Sequence, residues 1–293
     1  MPRRLIPPPP ALRPLVQAYM LLDEDLPAVE AHVFLPEQLA HLTFSSGRRW
    51  TLGEGGQLLP VPEATLEGLV TRGTHLISDG VTRALRAELY PWAARQLFGW
   101  QYPAPVLDLG AGAAGSGAAR TARRIAAALA AGDDETALGL LNGWLLGLAS
   151  GQQQAGAAGR GWTAGAGVRA AVELYHRGGR PRLAELAAEL DVSVRTLERQ
   201  FLQDVGVSAK TLARLIRFET AHNALASDPQ TPLAALAHDL GFSDQAHLTH
   251  EFRALGGLTP GTFARMISAR HQHVGWLDFR QDHPRLLLPQ LPE

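Results

Sequence analysis

Two copies of one apolar pattern in the last third of the chain constrain its fold more than any other feature. The copies lie fifty residues apart before a short turn and fifty-one after it, so one residue is inserted in the turn. The apolar spacing is kept while the polar residues between differ, which is typical of a duplicated helical unit. We therefore predict two helix-turn-helix units. The matched pairs are Leu183 with Leu233, Leu186 with Leu236, Ala187 with Ala237, Leu190 with Leu240, Leu197 with Leu248, and Phe201 with Phe252.

The first unit has the pattern of two short helices that cross closely. Leucines three and four residues apart predict an amphipathic helix, and the small Ala187 allows a second helix to approach it. Ser193 is a good N-cap for that second helix, in which Leu197 and Phe201 point inward. A supported helix with arginines near its N-terminal end can enter a DNA major groove. The predicted outward residues are Arg195, Thr196, Glu198 and Arg199, of which Arg195, Thr196 and Arg199 are the DNA-binding candidates.

The second unit repeats this arrangement with different polar residues. Thr231 followed by Pro232 predicts an N-cap and a proline in the first helical position. Residues 241–244 form the predicted turn, after which Leu248 and Phe252 face the core. The side chains left for a groove are Gln245, His247, Thr249 and His250.

A single long helix is predicted between the units, over 208–227, with Asp228 and Pro229 ending it. Twenty helical residues span about 30 Å, which is close to the roughly 34 Å of one turn of B-DNA. Two reading helices separated by that length fit successive major grooves on one side of a duplex. The inward stripe of the connecting helix is Leu212, Leu215, Ile216 and Leu225.

Segments 193–201, 241–245 and 258–260 resemble the signatures of AraC/XylS-type transcription regulators. The resemblance implies a DNA-binding domain over 168–267 in a one-component bacterial regulator, behind an N-terminal sensor or dimerisation domain. It implies base-reading positions at Arg195 and Arg199 in the first unit, and at Gln245 and His250 in the second. His250 departs from the arginine usual in the family. RNA polymerase is a further partner that the resemblance implies.

Charge and composition narrow the alternatives. Across 165–270, twelve Lys and Arg stand against eleven Asp and Glu, so DNA binding would depend on placed arginines rather than on bulk charge. A helical bundle without a nucleic-acid role, or a non-specific DNA-architectural protein, therefore stays open. The chain has no cysteine, which excludes disulfides and cysteine nucleophiles. We expect no cofactor and no catalytic chemistry.

The N-terminal part, 1–117, has short apolar segments between turn residues, which predicts a β-rich, barrel-like domain. The segments are 31–35, 40–44, 49–52, 57–59, 66–70 and 84–90. This part resembles, less specifically, the barrel-like domain that precedes some AraC-type modules, and such a domain could bind a small-molecule effector. Its histidines are scattered, so we expect no metal site. The candidate pocket residues are Phe34, Phe44, Trp50, Tyr90 and Trp92, with ordinary core packing as the alternative.

Residues 118–150 predict a helical hairpin whose second helix has both a leucine stripe and a glycine stripe. Close packing against a second copy, in a homodimer, and packing against the barrel within the chain are equally compatible with this pattern. Asp133 and Asp134 suit the start of that helix. The stripes are Leu138, Leu141, Leu145 and Leu148, and Gly139, Gly143 and Gly147.

A glycine-rich segment at 110–117 supports a competing interpretation. It follows an apolar run and matches the first motif of nucleotide- or S-adenosylmethionine-binding enzymes. The helices predicted after it do not alternate with strands, as that fold requires. An enzyme that binds a nucleotide or S-adenosylmethionine is therefore kept as the alternative to a DNA-binding regulator.

The remaining segments complete an α+β organisation. Residues 151–167 predict a flexible linker, and 268–293 form a C-terminal tail. With no signal peptide and no apolar run long enough to cross a bilayer, we expect a cytoplasmic protein. The sequence predicts a β-rich barrel-like domain with a helical hairpin, followed by an all-α domain of two helix-turn-helix units joined by a long helix. Double-stranded DNA is the expected partner.

Overall fold

The computed structural model describes residues 3–53, 55–70, 73–100, 106–111, 117–155 and 164–271. Within them the N-terminal domain contains a seven-stranded sheet in the order β1-β2-β6-β3-β5-β7, with β4 paired to β3. Every pairing is antiparallel. The strands are β1 (Arg3–Ile6), β2 (Val16–Phe34), β3 (Ala40–Leu52), β4 (Leu58–Pro60), β5 (Ala64–Glu67), β6 (Thr74–Leu89) and β7 (Leu107–Asp108).

The predicted short segments belong to longer strands than the sequence suggested. Segments 40–44 and 49–52 join into the single strand β3, which continues past a register shift between Ser46 and Arg48. Gly47 lies at this shift with φ of 98°, and a Cβ there would come within 2.6 Å of the Val81 carbonyl oxygen. Only glycine fits this position, so the chain keeps one continuous strand where its alternation is broken.

The two faces of the sheet differ in chemistry because side chains alternate along each strand. Leu42 and Phe44 of β3 are fully buried on one face, beside Leu85 of β6. His41 and Thr43 lie on the other face, which carries a cluster of polar and charged groups. The apolar face is the core of the domain, and the polar face provides the walls of a cavity.

Helices cover the apolar face. These are α1 (Pro91–Phe98), α2 (Gly117–Ala130) and α3 (Asp134–Ala155). The predicted hairpin is present, and Asp133 caps α3 by accepting the Thr136 N–H at 3.0 Å. Helix α1 was not predicted. The ring of Trp144 on α3 packs edge-on against Phe44 of the sheet, with centroids 6.1 Å apart.

The C-terminal domain is helical throughout its described residues, as predicted. Its helices are α4 (Ala166–His176), α5 (Leu183–Glu189), α6 (Val194–Val205), α7 (Ala209–Ser227), α8 (Leu233–Asp239), α9 (Gln245–Gly256) and α10 (Pro260–His271). Helix α3 extends to Ala155 and α4 begins at Ala166, so both enter the predicted linker range of 151–167. Most of the tail, 272–293, lies outside the described residues.

The glycine-rich segment does not have the surroundings of a nucleotide-binding fold. Strand β7, which precedes it, is two residues long and pairs antiparallel with β5 at the sheet edge. The nucleotide-binding arrangement needs a central parallel strand that leads into a helix. The Asp108 carboxylate also accepts the N–H groups of Gly110 and Ala111, at 2.8 and 3.1 Å. Residues 112–116 lie outside the described residues.

Candidate DNA-binding surface and ligand cavity

The first helix-turn-helix consists of α5 and α6, and its packing follows the predicted pattern. Leu197 and Phe201 of α6 are completely buried. Ser193 caps α6 by accepting the Thr196 N–H at 3.1 Å. Arg195 and Arg199 are exposed one turn apart, and neither forms an ion pair among the described residues. Both guanidinium groups are therefore available to an external acceptor.

Thr196 has a second role besides the one predicted for it. Its side chain is half-buried, and its hydroxyl lies 2.8 Å from the Ser193 hydroxyl. This contact reinforces the cap and fixes the start of α6. We therefore assign Thr196 mainly to positioning the helix.

The second unit consists of α8 and α9. Asp244 caps α9 by accepting the His247 N–H at 2.7 Å, while Leu248 and Phe252 are buried. Helix α8 begins at Leu233 with Pro232 as its N-cap. The predicted cap at Thr231 is therefore wrong, because the Thr231 hydroxyl donates to the Asp228 carbonyl oxygen at 2.8 Å instead.

The four candidate reading residues of α9 divide into two pairs. Gln245, His247 and His250 are exposed, whereas Thr249 is half-buried. The His247 ring lies edge-on to Phe242, with centroids 5.3 Å apart, and its Nδ1 is 3.1 Å from the Ser243 hydroxyl. The Thr249 hydroxyl donates to the Gln245 carbonyl oxygen at 2.9 Å. His247 and Thr249 thus stabilise the helix, while Gln245 and His250 remain free to project.

The two units share their backbone conformation at the turns and helix ends as well as their apolar pattern. Asp191 and Gly241 occupy equivalent turn positions, with φ of 54° and 72°. Both reading helices end at a glycine in the left-handed region, Gly206 at 86° and Gly257 at 74°. Such φ values suit glycine and are strained for aspartate. The duplication therefore extends to the geometry of the turns and caps.

Helix α7 holds the two units together. Its 19 residues span about 28 Å at roughly 1.5 Å per residue. The Arg217 guanidinium lies over the Phe242 ring of the second unit, 4.7 Å from its centroid, and donates to the Gly241 carbonyl oxygen. The Arg214 guanidinium pairs with the Glu251 carboxylate on α9. These contacts fix the turn of the second unit relative to α7.

Comparison with known proteins identifies the type of domain that contains the two helix-turn-helix units. A family model described as a helix-turn-helix domain matches residues 186–266. The HTH-type transcriptional regulator RipA of Corynebacterium glutamicum is 38% identical over 81 residues, which cover 28% of this chain and 24% of RipA. Residues 186–266 form an AraC-type helix-turn-helix domain. The resemblance predicted from the sequence is confirmed.

Two solved structures are similar to longer parts of the chain. ToxT from Vibrio cholerae covers 85% of this chain and 98% of its own, with 12% identity and a TM-score of 0.45. The C-terminal domain of AraT from Geobacillus stearothermophilus covers 42% of this chain and 95% of its own, with 23% identity and a TM-score of 0.34. Among the described helices, none has the length and apolar character that a bilayer crossing requires.

A cavity of about 80 Å³ lies on the polar face of the sheet. Of the predicted pocket residues, Phe44, Trp50, Tyr90 and Trp92 do not line this cavity, and the side chain of Phe34 lies outside the described residues. Aromatic side chains prefer the apolar core, whereas this cavity forms on the opposite face. Its ionisable lining residues are Glu24, Glu37, His41, Arg49, Glu67 and Arg86.

Three of these ionisable groups meet at one carboxylate oxygen, that of Glu37. Oε2 of Glu37 lies 2.6 Å from an Arg86 guanidinium nitrogen and 2.6 Å from His41 Nε2. Arg86 and His41 are only 6% and 3% exposed, and their nitrogens are in contact. Burial lowers the pKa of the nearby Arg49, while the carboxylates of Glu67 and Glu24 act in the opposite direction. The sequence analysis did not predict this buried cluster.

The cavity adjoins the junction between the domains. Gln38, next to Glu37, donates from its backbone N–H and from Nε2 to the Glu219 carboxylate of α7, at 2.9 and 3.0 Å. The Tyr175 hydroxyl of α4 donates to the Gln38 carbonyl oxygen at 2.6 Å. Both Gln38 and Glu219 are buried. Burial also raises the pKa of Tyr175 well above its ordinary value, so the hydroxyl stays protonated.

Aromatic rings complete this junction and explain where two of the predicted pocket residues lie. Tyr90 stacks on Trp92 at 4.7 Å, and both rings meet Tyr175 of the C-terminal domain edge-on, at 5.5 and 5.8 Å. Arg95 of α1 donates to the Gln203 carbonyl oxygen near the end of α6, at 3.1 Å. The N-terminal domain therefore contacts the first unit at the end of its reading helix opposite to Arg195.

The hairpin helix α3 has its two stripes in different surroundings. Leu141 and Leu145 are fully buried within the chain, as the intramolecular alternative required. Gly139, Gly143 and Gly147 are exposed, and a Cβ at any of them would meet no atom within 4 Å. The leucines therefore hold α3 in place, and the glycine face is directed away from the domain.

Proposed function

We propose that the protein is a one-component transcription regulator that binds specific DNA sequences. The observation that carries this proposal is the pair of helix-turn-helix units with exposed polar residues on α6 and α9, joined by a helix about as long as one turn of DNA. Each reading helix is capped, packed and ended in the same way. The assigned AraC-type domain supports DNA as the ligand.

The proposed roles follow the contacts that each side chain makes within the protein. Arg195 and Arg199 contact guanine edges or phosphates, because the guanidinium fork matches both acceptors. Gln245 reads an adenine edge, and His250 contacts a base or the backbone one turn later. Thr196, His247 and Thr249 support the helices that present these groups. Specificity then depends on four projecting side chains rather than on the net charge of the domain.

Substitution of Arg199 by alanine tests this proposal. The side chain is exposed and makes no ion pair among the described residues, so folding stability should change by less than about 0.5 kcal/mol. If Arg199 contacts a guanine, affinity for a selected site should fall by about 1–3 kcal/mol, with relaxed preference at one base. Equal weakening on every sequence would instead mark a phosphate contact.

A matched control is Arg265→Ala, an exposed arginine on α10. Both variants should be titrated against specific and random duplexes at several salt concentrations, since phosphate contacts change the salt dependence. Unchanged affinity of Arg199→Ala for the specific site would contradict its reading role. If the unsubstituted protein binds specific and random duplexes with equal affinity, the alternative of a non-specific DNA-architectural protein is favoured.

We also propose that the N-terminal domain binds a small effector in the charged cavity, and that the glycine face of α3 forms a homodimer contact. The exposed, backbone-lined face at Gly143 permits close helix approach. Mass in solution tests the second proposal: Gly143→Glu should give monomers, and Glu135→Gln at the exposed start of α3 is its control. An unchanged mass for Gly143→Glu would contradict the proposed dimer contact.

RNA polymerase remains a proposed partner, and the direction of regulation follows from where the site lies relative to a promoter.

A further inference from the structure

Glu37 occupies a site with the chemistry of a carboxylate receptor. Its Oε2 is shared by the Arg86 guanidinium and the His41 imidazole, both within 2.6 Å. Arg86 is 6% exposed, yet its Nε lies buried without a hydrogen-bond partner. A guanidinium normally binds a carboxylate through two parallel N–H donors. In this cavity Glu37 contacts one terminal nitrogen of Arg86 and leaves the Nε–H donor of Arg86 unused.

The other charged side chains of the cavity form a second group, in which acidic and basic side chains interact with each other. Arg49 interacts with the carboxylates of Glu67 and Glu24, and Glu24 also accepts the Thr82 hydroxyl at 3.1 Å. These acidic groups already have partners of their own. The basic pair formed by Arg86 and His41 has Glu37 as its acidic partner within the cavity lining. Removal of Glu37 would take away the carboxylate oxygen that both basic groups contact.

We propose that the cavity binds a small carboxylic acid whose carboxylate replaces that of Glu37 on Arg86 and His41. This inference rests on the effector part of the proposed function and names its chemical class. The open space of about 80 Å³ is about half the roughly 150 Å³ of an apolar cavity that holds benzene. It is too small for most effectors until the Glu37 side chain leaves. Glu37 is thus the resident occupant that an incoming acid displaces.

The exchange has a direct path to the DNA-binding domain. Gln38 follows Glu37 in the chain and holds the Glu219 carboxylate of α7 through two hydrogen bonds. A backbone movement that withdraws Glu37 from Arg86 also displaces Gln38. Since α7 connects the two reading units, the loss of this contact changes how firmly they are held against the N-terminal domain. The same site therefore both recognises the acid and transmits its binding.

Chemical rescue tests the proposal without DNA, so its result is independent of operator binding. Glu37→Ala should be unfolded by heat in sodium acetate, sodium propionate and sodium chloride at equal ionic strength. We expect acetate and propionate to raise the unfolding midpoint of Glu37→Ala by a few degrees in a saturable manner. Chloride should not do so. The matched control is Glu67→Ala, which removes a carboxylate from the same cavity but leaves Glu37 on Arg86.

The outcomes separate clearly. Saturable stabilisation in Glu37→Ala that disappears in Glu37→Ala/Arg86→Gln supports the proposal. An equal effect of acetate on Glu67→Ala, or no difference between acetate and chloride for Glu37→Ala, overturns it. If Glu37→Ala does not fold in chloride, refolding is compared in the two salts: recovery of native fluorescence in acetate alone supports the proposal, and failure in both salts overturns it.

Discussion

Replacement of Glu219 by alanine should weaken the junction between the domains more than it weakens either core. Glu219 is 2% exposed and accepts two hydrogen bonds from Gln38. The substitution leaves two buried donors without their acceptor, each at a cost of about 1–3 kcal/mol, so the total should be about 2–6 kcal/mol. The experiment is urea unfolding followed by tryptophan fluorescence, since the Trp92 ring contacts Tyr175 across the junction.

A double-mutant cycle isolates the contact itself. Gln38→Ala removes only the Nε2 donor, so the cycle with Glu219→Ala measures the side-chain bond of 3.0 Å. We expect a coupling energy of about 1.5–3 kcal/mol, the range for hydrogen bonds to a charged group. Glu198→Ala, an exposed carboxylate on α6, is the control and should change stability by less than about 0.5 kcal/mol.

Two results would refute this account of the junction. The first is a cost for Glu219→Ala no larger than that of Glu198→Ala. The second is additivity of Gln38→Ala and Glu219→Ala within about 0.5 kcal/mol, because residues in direct contact should couple more strongly. Either result would mean that the Gln38–Glu219 contact does not hold the domains together.

Two further predictions concern local strain and pH. Asp191 has a φ of 54° where the second unit has glycine, so Asp191→Gly should stabilise the protein by up to about 1 kcal/mol and Asp191→Ala should destabilise it by about 1 kcal/mol. Equal unfolding midpoints for the two variants would contradict this. Burial raises the pKa of the Asp204 carboxyl above its ordinary value, although the hydrogen bond from the Gly167 N–H acts to lower it. The folded state therefore binds the proton more tightly, and the stability gained from protonation is lost as pH rises through the folded pKa. Asp204→Asn should gain stability relative to the unsubstituted protein over that window, and a pH-independent difference in urea unfolding would contradict it.

The C-terminal domain could be predicted in detail because its information is local. The 3.6-residue periodicity identified the buried Leu197, Phe201, Leu248 and Phe252, and the cap at Ser193 follows from its short polar side chain. The error at Thr231 was one of register at a helix end, where a hydroxyl can bond either forward or back.

The N-terminal domain was predicted in class but not in its cavity. Alternation in β3 separates His41 and Thr43 from Leu42 and Phe44, yet it does not say which partner strands bring Arg86 beside His41. That contact depends on the register of strands far apart in sequence. The aromatic residues Tyr90 and Trp92 were assigned to a pocket because their type suits one, whereas the docking of α4 placed them in the junction.

The central claim is that two linked units read one side of a duplex, and selection of bound sequences from random DNA by the purified protein tests it most directly. The account predicts an enriched site with two conserved half-sites whose centres lie about 10–10.5 base pairs apart. Arg199→Ala should alter one half-site and Gln245→Ala the other. Enrichment of a single short half-site, or no enrichment at any salt concentration, would contradict it.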